Sequence, residues 1–185
     1  MKKVYNVSIV PLTAFHINAG IGPDGRRVYV KNGREAYIPG TTVKGVLRNN
    51  IEMLIKKDIP NIKCTGKENG DAPCDCPMCT LFGKAGFQPS RVIVDNFYAD
   101  NTISEVRTNN AISRHTKKTL DGALLSYETV SAGKHLCFDG NITVYYTEDT
   151  KKYEQYVLAG LSLIDSIGSS KSRGLGWVDV EVKAL

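Results

Sequence analysis

The chain has 185 residues, of which 42% are hydrophobic and 23% are charged, and its formal net charge is +5 at pH 7. This composition is typical of a soluble globular domain, and no apolar run is long enough to cross a bilayer. The first residues lack the apolar core of a secretion signal. We therefore expect one cytoplasmic domain over residues 1–185, with no membrane partner.

The positive charge is unevenly distributed along the chain. Residues 1–57 carry a net charge of +7 and residues 107–135 a net +3, whereas residues 58–106 and 136–185 carry −3 and −2. Two basic segments around an acidic one are consistent with a track for a polyanion. Ordinary surface lysines would give the same distribution without any such partner.

The first part of the chain predicts strands around a glycine-rich loop. Residues 4–11 alternate between apolar and polar side chains, which is the pattern of a half-buried strand. Residues 12–25 are rich in glycine and are predicted to form a loop that contains His16 and Asp24. Residues 26–38 predict a β-hairpin, because their Asn-Gly pair suits a tight turn between two strands.

A helix is predicted to follow this hairpin. Pro39 and Gly40 end the strand, and a threonine after them can cap the helix. Apolar residues recur at helical spacing from residue 43 to residue 55, so one face packs on a sheet. Lys44 and Arg48 share the other face near the helix start, where a phosphate could bind. Both cations could equally be solvated surface residues.

A cysteine-rich insertion is predicted over residues 58–90. Four of the five cysteines lie there with the spacing C-x9-C-x-C-x2-C, and these are Cys64, Cys74, Cys76 and Cys79. Without a secretion signal, clustered cysteines favour metal over disulfides, and four thiolates suit a closed structural Zn²⁺ site. Reduced free thiols or an iron–sulfur cluster are the alternatives. Cys137 stands alone in a predicted strand and is interpreted as a small core residue.

The later elements predict the fold class. Strands are expected at 91–98, 136–146 and 177–182, a helix at 151–167, and an extended loop or hairpin at 107–133. The order strand, helix, strand, strand, helix, strand suits an α+β, ferredoxin-like split βαβ domain. Two insertions, at 58–90 and 107–133, would interrupt it.

A second glycine-rich stretch spans residues 168–178 and contains Lys171 and Arg173. Glycine permits positive φ, and successive amides in such a loop form an anion-binding nest. The two cations add charge suited to phosphate. A helix C-cap followed by a flexible turn would explain the same stretch.

Three stretches together resemble the CRISPR-associated RAMP superfamily. Residues 38–48 look like its I-P-G-S-S-x-K-G-x-L-R segment, and residues 168–178 resemble its glycine-rich loop with the ending S-R-G-x-G-x-V. Residues 79–83 are similar to the Cys and Leu-Phe-Gly feature of the backbone subunits of type III effector complexes. Residues 110–114 and 130–133 fit the same subunits.

This resemblance implies an RRM-type palm, several copies of which stack along a guide crRNA together with other effector subunits. It also implies that a thumb-like hairpin, at residues 107–133 here, kinks the duplex of guide and target RNA. The residues expected to contact RNA are His16, Lys44, Arg48, Arg114, Lys171, Ser172 and Arg173.

The resemblance further implies that an aspartate in the loop after the first strand promotes metal-dependent cleavage of target RNA. Asp24 is the carboxylate in the corresponding loop, thirteen residues before Tyr37, and Mg²⁺ or Mn²⁺ would be its cofactor. Asp24 could instead be only a turn residue. The alternatives to an RNA-guided endoribonuclease are a non-catalytic guide-RNA scaffold and a guide-processing ribonuclease that needs no metal.

Overall fold

The computed structural model describes residues 1–60, 62, 64, 74–84, 86, 88–133 and 135–184. The chain is a mixed α+β protein with antiparallel pairing and few helices. Its strands are β1 (Lys2–Pro11), β2 (Asn18–Ile21), β3 (Arg27–Tyr29), β4 (Lys31–Asn32), β5 (Glu35–Ile38), β6 (Val92–Val94), β7 (Phe97–Tyr98), β8 (Ser104–Asn109), β9 (Leu125–Val130), β10 (Phe138–Tyr145) and β11 (Val178–Ala184). Its α-helices are α1 (Gly40–Asp58), α2 (Pro77–Phe82) and α3 (Glu154–Ser162). None of the described helices is both long and apolar enough to cross a bilayer.

The larger sheet is built around β1. Val7 lies opposite Gly140 of β10 on one side and opposite Val182 of β11 on the other, and both pairings are antiparallel. The strand order is β11-β1-β10-β7-β5-β4, with β6 also paired to β10. The alternation predicted for residues 4–11 is confirmed, because Tyr5, Val7 and Ile9 are buried on one face.

Two helices contact one another over this sheet. α1 buries Val43, Leu47 and Ile51, as its helical spacing predicts. In α3, a Cβ on Gly160 would come within 2.7 Å of the Ile51 side chain, so glycine lets the two helices approach closely. Asn50 donates a hydrogen bond of 3.1 Å from Nδ2 to the Gly160 carbonyl, which ties the helices together in the interior.

The start of α1 differs from the prediction. The N-cap residue is Pro39, which has no side-chain cap, and Thr41 and Thr42 lie inside the helix. The predicted threonine cap is therefore wrong. Instead Asn96, between β6 and β7, accepts a hydrogen bond of 2.9 Å on Oδ1 from the Gly40 N–H. A residue distant in sequence thus satisfies a donor that a local side chain was expected to satisfy.

A smaller sheet has the order β2-β3-β9-β8. β2 and β3 form an antiparallel hairpin, so the predicted loop at 12–25 is partly strand. β8 and β9 form a second antiparallel hairpin, which agrees with the hairpin alternative for residues 107–133. A parallel pairing of Arg27 with Tyr127 joins the two hairpins. The name thumb-like hairpin, given above to the predicted residues 107–133, is used from here on for residues 104–130, from the start of β8 to the end of β9.

The predicted hairpin at 26–38 is shorter and turns later than expected. β4 and β5 pair with Asn32 opposite Glu35, so the turn residues are Gly33 and Arg34. Gly33 has φ of +64°, which suits the first central position of a primed hairpin turn. β3 is not part of this hairpin, because it pairs with β2 and β9 in the smaller sheet.

Candidate nucleic-acid interface and metal centre

The glycine loop, residues 168–176, is folded against the chain between β1 and β2. Gly168 has φ of +87°, and a Cβ at this position would collide with the carbonyl of His16. Ser169 donates a hydrogen bond of 2.9 Å from its N–H to that same carbonyl. Gly176, with φ of +75°, lies equally close to the backbone at the start of the loop. These contacts fix the loop and exclude a freely flexible turn.

The middle of the glycine loop carries the predicted cations. Ser170 and Gly174 are left-handed, with φ of 64° and 80°, and enclose a 3₁₀ turn over Lys171–Arg173. Lys171, Ser172 and Arg173 are all exposed to solvent. Left-handed positions of this kind turn successive backbone amides toward one side, as in anion-binding nests. The loop therefore presents positive charge on a fixed backbone.

A cleft of about 580 Å³ lies between the glycine loop and the first half of α1. Thr41, Thr42 and Asn49 line it from the helix, and Asp165 and Lys171 line it from the other side. We call this the α1–loop cleft. The structure thus brings Lys171 of the glycine loop next to the first turns of α1.

The first turn of α1 has little spare hydrogen-bonding capacity. The Gly40 N–H donates to Asn96, and the N–H groups of Thr42 and Val43 donate to the carbonyl that precedes the helix. Among the described residues, this leaves the Thr41 N–H as the one amide of the first turn without a partner. An anion in the α1–loop cleft would therefore meet one helix amide together with hydroxyl groups and Lys171.

Lys44 and Arg48 lie outside the α1–loop cleft. Lys44 donates hydrogen bonds from Nζ to Ser90 Oγ at 2.7 Å and to the Val92 carbonyl at 2.8 Å. Burial, and to a smaller extent the charge of Arg48, lowers the pKa of Lys44. The guanidinium of Arg48 lies over the Phe82 ring at 5.8 Å and lines a different cavity, of about 530 Å³. Lys44 and Arg48 are therefore separated from Lys171, which lines the α1–loop cleft.

Asp24 lies at the tip of the β2–β3 hairpin, with its side chain 53% exposed. Its Oδ1 accepts a hydrogen bond of 3.1 Å from the Arg26 N–H, and its Oδ2 lies 3.0 Å from Arg26 Nε. The first contact is that of an Asx turn. Asp24 therefore both shapes the turn and leaves a carboxylate open to solvent.

His16 is buried, with only 3% exposure. Its Nδ1 lies 2.5 Å from the Glu128 carbonyl of β9, and its ring packs edge-on against Tyr127 at 5.5 Å. Its Nε2 is buried and has no hydrogen-bond partner among the described residues. His16 therefore joins the glycine loop, through its carbonyl, to the smaller sheet, through its ring, and its side chain does not reach the surface in this structure.

The end of the thumb-like hairpin is basic and partly apolar. The N–H of Ser113 donates to the Lys118 carbonyl at 2.8 Å, which closes a tight turn around Arg114. Arg114 is exposed. Ile112, Leu120 and Leu124 are 58%, 50% and 70% exposed. Exposed aliphatic side chains beside cations are suited to contact with both bases and phosphates of a nucleic acid.

The four clustered cysteines come together as their spacing predicts. The Sγ atoms of Cys64, Cys74, Cys76 and Cys79 all lie within 4.8 Å of one another. The Sγ atoms of Cys64 and Cys79 lie 3.5 Å apart. A tetrahedron with zinc–sulfur bonds of about 2.3 Å has sulfur–sulfur distances of about 3.8 Å. The donor set and its spacing therefore fit a metal such as zinc.

The start of α2 determines the surroundings of two of these thiols, Cys76 and Cys79. Cys76 is the N-cap of α2, and its Sγ accepts a hydrogen bond of 3.4 Å from the Cys79 N–H. Burial, followed by the neighbouring thiols, raises the pKa of Cys79, so that without a cation this thiol holds its proton. Cys137 is half-buried, with Sγ 3.6 Å from Asp139 Oδ1, so its interpretation as a core residue is wrong.

The sequence patterns did not indicate all the residues of the α1–loop cleft. Asp165 precedes the glycine loop in a segment predicted as helix, and α3 ends before it, at Ser162. Asn49 lies on α1 one residue beyond the recognised motif. Their one signal is polarity at positions flanking two motifs, which is too common to single out a site.

The chain matches a known protein family over most of its length. The model of the family described as the RAMP superfamily matches residues 8–179. This range extends from β1 into β11 and includes the α1–loop cleft and the cysteine cluster. No curated protein sequence matches the chain significantly.

Proposed function

Because this chain belongs to the RAMP superfamily, whose members are CRISPR-associated and RNA-binding, we propose that it is a guide-RNA-binding backbone subunit of a type III effector complex. Its partners would be a guide crRNA, a target RNA, other effector subunits and further copies of itself along the guide. The observation that carries this proposal is the α1–loop cleft, where a fixed cationic loop faces a helix start.

The arrangement of the larger sheet supports a ferredoxin-like palm. β1, β6, β10 and β11 lie in the order β11-β1-β10-β6, with antiparallel pairing throughout. α1 follows the first of these strands and α3 the third, which is the connectivity of a split βαβ unit. The thumb-like hairpin would then project from this palm to meet the guide–target duplex.

Guide binding would be independent of base sequence. Lys171, Ser172 and Arg173 would contact phosphates directly, and Arg114 would do so from the thumb-like hairpin. Arg48 would meet RNA from its separate cavity beside Phe82. Lys44 and His16 would act by holding α1 and the glycine loop in place, because both are engaged inside the fold. The bases would be read by pairing between guide and target.

The cysteine cluster would hold a structural Zn²⁺ ion. A bound metal would tie Cys64 and Cys74 to α2, whose Met78, Leu81 and Phe82 pack into the main core, and would add to the folding free energy of the insertion. Four thiolate ligands would close the coordination sphere and leave no position for substrate. The metal centre would thus stabilise α2, which contacts α1 beside Arg48.

We further propose that Asp24 promotes cleavage of the target RNA. A hard divalent cation commonly binds one or two carboxylates together with substrate phosphates, so one exposed carboxylate is a sufficient protein ligand. Asp24 would hold Mg²⁺ or Mn²⁺ with the scissile phosphate, where the ion would supply charge stabilisation. The protein's own contribution would be to orient that carboxylate at the hairpin tip through the Arg26 contacts.

A non-catalytic scaffold is the second candidate, and the contacts of Asp24 with Arg26 favour it. Both carboxylate oxygens of Asp24 are already engaged by the turn and by a cation. In a scaffold, Asp24 would serve only to shape the β2–β3 turn.

The substitution Asp24→Asn separates these two functions. Asparagine keeps an oxygen that can accept from the Arg26 N–H and therefore preserves the turn, but it removes the charge. We expect the assembled complex to retain guide RNA and to cleave target RNA at least about 100-fold more slowly in Mg²⁺. The measurement is single-turnover cleavage of a labelled complementary RNA.

The matched control is Asp121→Asn, which removes an exposed charge from the thumb-like hairpin. Its cleavage rate should stay within about twofold of wild type. Undiminished cleavage by Asp24→Asn would contradict the catalytic role of Asp24. The role that remained for Asp24 would then be to shape the β2–β3 turn, as in the scaffold. Failure of the wild-type complex to retain guide RNA would contradict the proposed function as a whole.

A further inference from the structure

The α1–loop cleft contains a carboxylate that a simple phosphate site would not need. Asp165 lines the same cleft as Lys171, although its negative charge opposes the binding of a polyanion. Among the described residues, no lysine, arginine or histidine nitrogen lies within 4.0 Å of the Asp165 carboxylate. Asp165 is therefore not the counter-ion of Lys171, and its position calls for another explanation.

Asp165 is exposed at the edge of the cleft, and one of its carboxylate oxygens is engaged by the neighbouring Ser166. Ser166 donates a hydrogen bond of 2.7 Å from Oγ to Asp165 Oδ1. The backbone is fixed as well, because the Val178 N–H donates to the Asp165 carbonyl at 2.9 Å. The second carboxylate oxygen has no partner among the described residues. A fixed acceptor with unused capacity is suited to receive a hydrogen bond from a ligand.

A second acceptor faces the same cleft. Asn50 is only 6% exposed and lines the cleft, and its Nδ2 is used by the Gly160 carbonyl. Its remaining polar atom, Oδ1, can only accept hydrogen bonds. Met53 and Leu163 add apolar surface to the lining. Besides the polar groups of Thr41, Thr42 and Asn49, the cleft therefore offers one cation, two acceptors and an apolar wall, which suits an anionic ligand that also carries a hydroxyl donor.

We propose that Asp165 distinguishes ribose from deoxyribose by accepting a hydrogen bond from a guide 2′-hydroxyl in the α1–loop cleft. This inference rests on the proposed function. A base amino group could also donate to Asp165, but it would make binding depend on sequence, whereas every ribonucleotide carries a 2′-hydroxyl. The apolar wall would pack against the sugar while Lys171 meets the adjacent phosphate.

The test compares two probes that differ only at the 2′ position. The full-length, zinc-loaded chain is titrated into a labelled single-stranded RNA and into its 2′-deoxy analogue, which carries deoxyuridine in place of uridine. Fluorescence anisotropy at one fixed salt concentration gives both dissociation constants. Wild type should bind the RNA about tenfold more tightly than the analogue, as expected for one hydrogen bond to a charged group.

The variant Asp165→Ala should lose this preference, with a ratio of dissociation constants near one. It should also bind the deoxy analogue as tightly as wild type or about twofold more tightly, because a like charge has left the cleft. The matched control Asp149→Ala removes an exposed carboxylate outside the cleft. It should keep the wild-type ratio.

Two results would overturn the inference alone. One is an unchanged ratio in Asp165→Ala, and the other is an equal loss of affinity for both probes, which would indicate a purely structural role. If Asp165→Ala does not fold, the near-isosteric Asp165→Asn replaces it; its ratio should fall, and an unchanged ratio overturns the inference. A wild-type chain that binds neither probe would overturn the proposed function and this inference with it.

Discussion

The side chain of Lys44, a residue predicted to contact RNA, makes hydrogen bonds within the protein. Its Nζ joins α1 to β6 through Ser90 Oγ and the Val92 carbonyl. The sequence showed a cation near a helix start and four residues before Arg48, but periodicity cannot tell which flank of a helix meets a neighbouring strand. That information comes from tertiary packing, which no local pattern contains.

The substitution Lys44→Met should destabilise the fold by about 2 kcal/mol at pH 7, because it leaves the Val92 carbonyl without its charged donor. The measurement is urea unfolding of variant and wild type. Lys57→Met is the control, since Lys57 is exposed at the end of α1, and it should change the unfolding free energy by less than about 0.5 kcal/mol. Equal stability of the two variants would contradict the role assigned to Lys44.

The same residue predicts a pH dependence. The folded-state pKa of Lys44 is lowered by burial. Between that pKa and the unfolded value of about 10.4, the unfolded chain binds a proton that the folded protein has lost. The stability difference between wild type and Lys44→Met should therefore increase as pH rises from 8 to 10. A difference that shrinks over this range would show that the folded state favours the charged form.

At the level of elements, the glycine loop permits a comparison between two of its own residues. Gly174 and Gly176 have similar φ values of +80° and +75°, but only at Gly176 would a Cβ collide with backbone, at the Ile167 carbonyl. Gly174→Ala should cost about 1 kcal/mol, the strain of a left-handed residue, whereas Gly176→Ala should cost about 3 kcal/mol or more. Equal losses of unfolding free energy would show that the loop relaxes freely.

The cysteine insertion is an element whose order should depend on metal. We expect one Zn²⁺ per chain in reduced protein, and its removal by a chelator should increase hydrogen exchange across α2. Zinc binding must displace protons from thiols whose pKa is raised, as for Cys79, so zinc affinity should fall as pH decreases.

The fifth cysteine supplies the control for this experiment. Cys79→Ser should lose zinc, whereas Cys137→Ser should retain it, because Cys137 lies just before β10 and outside the cluster. Metal analysis by mass spectrometry gives the stoichiometry of each variant. Full zinc occupancy in Cys79→Ser would contradict the proposed ligand set.

An element can be predicted from sequence when the residues that determine it are close together in the chain. The alternation of β1 and the buried apolar face of α1 were predicted because burial of one face leaves apolar residues at regular spacing in the sequence. The cap on Gly40 was missed because its partner, Asn96, lies 56 residues away. The smaller sheet was missed as a unit because its parallel pairing joins Arg27 to Tyr127, and such long-range registers leave no local signal.

For the molecule as a whole, charge should dominate the affinity for RNA. Each phosphate contact on a single strand contributes about −0.7 to the slope of log K against log salt concentration. The double variant Lys171→Ala, Arg173→Ala should therefore make that slope shallower by about 1.4 while weakening binding to all sequences alike. The measurement is a salt series of anisotropy titrations with two unrelated RNA sequences.

The control for the salt series is Lys57→Ala, Lys151→Ala, which removes the same charge from exposed positions outside the α1–loop cleft. Its slope should equal that of wild type. A slope that shifts equally in both double variants would indicate that total charge, and not the glycine loop, determines binding.

The candidate site was predictable in part for the same physical reason as the fold. Motifs identified the glycine loop and the start of α1, and the structure brings them together across one cleft. It also separates Lys44 and Arg48 from that cleft, encloses His16, and adds Asp165. Which side chains converge depends on the packing of α1 against its neighbours, and that packing is decided by contacts spread over the whole chain.

The parallel pairing of β3 with β9 determines how the two hairpins of the smaller sheet are placed relative to each other. It joins the hairpin that carries Asp24 to the hairpin that carries Arg114 by hydrogen bonds along one sheet. Hydrogen-bonded strands resist sliding, so we expect the two hairpins to keep their relative register. An RNA strand that contacted both tips would meet its two contacts at a set spacing, whatever its sequence.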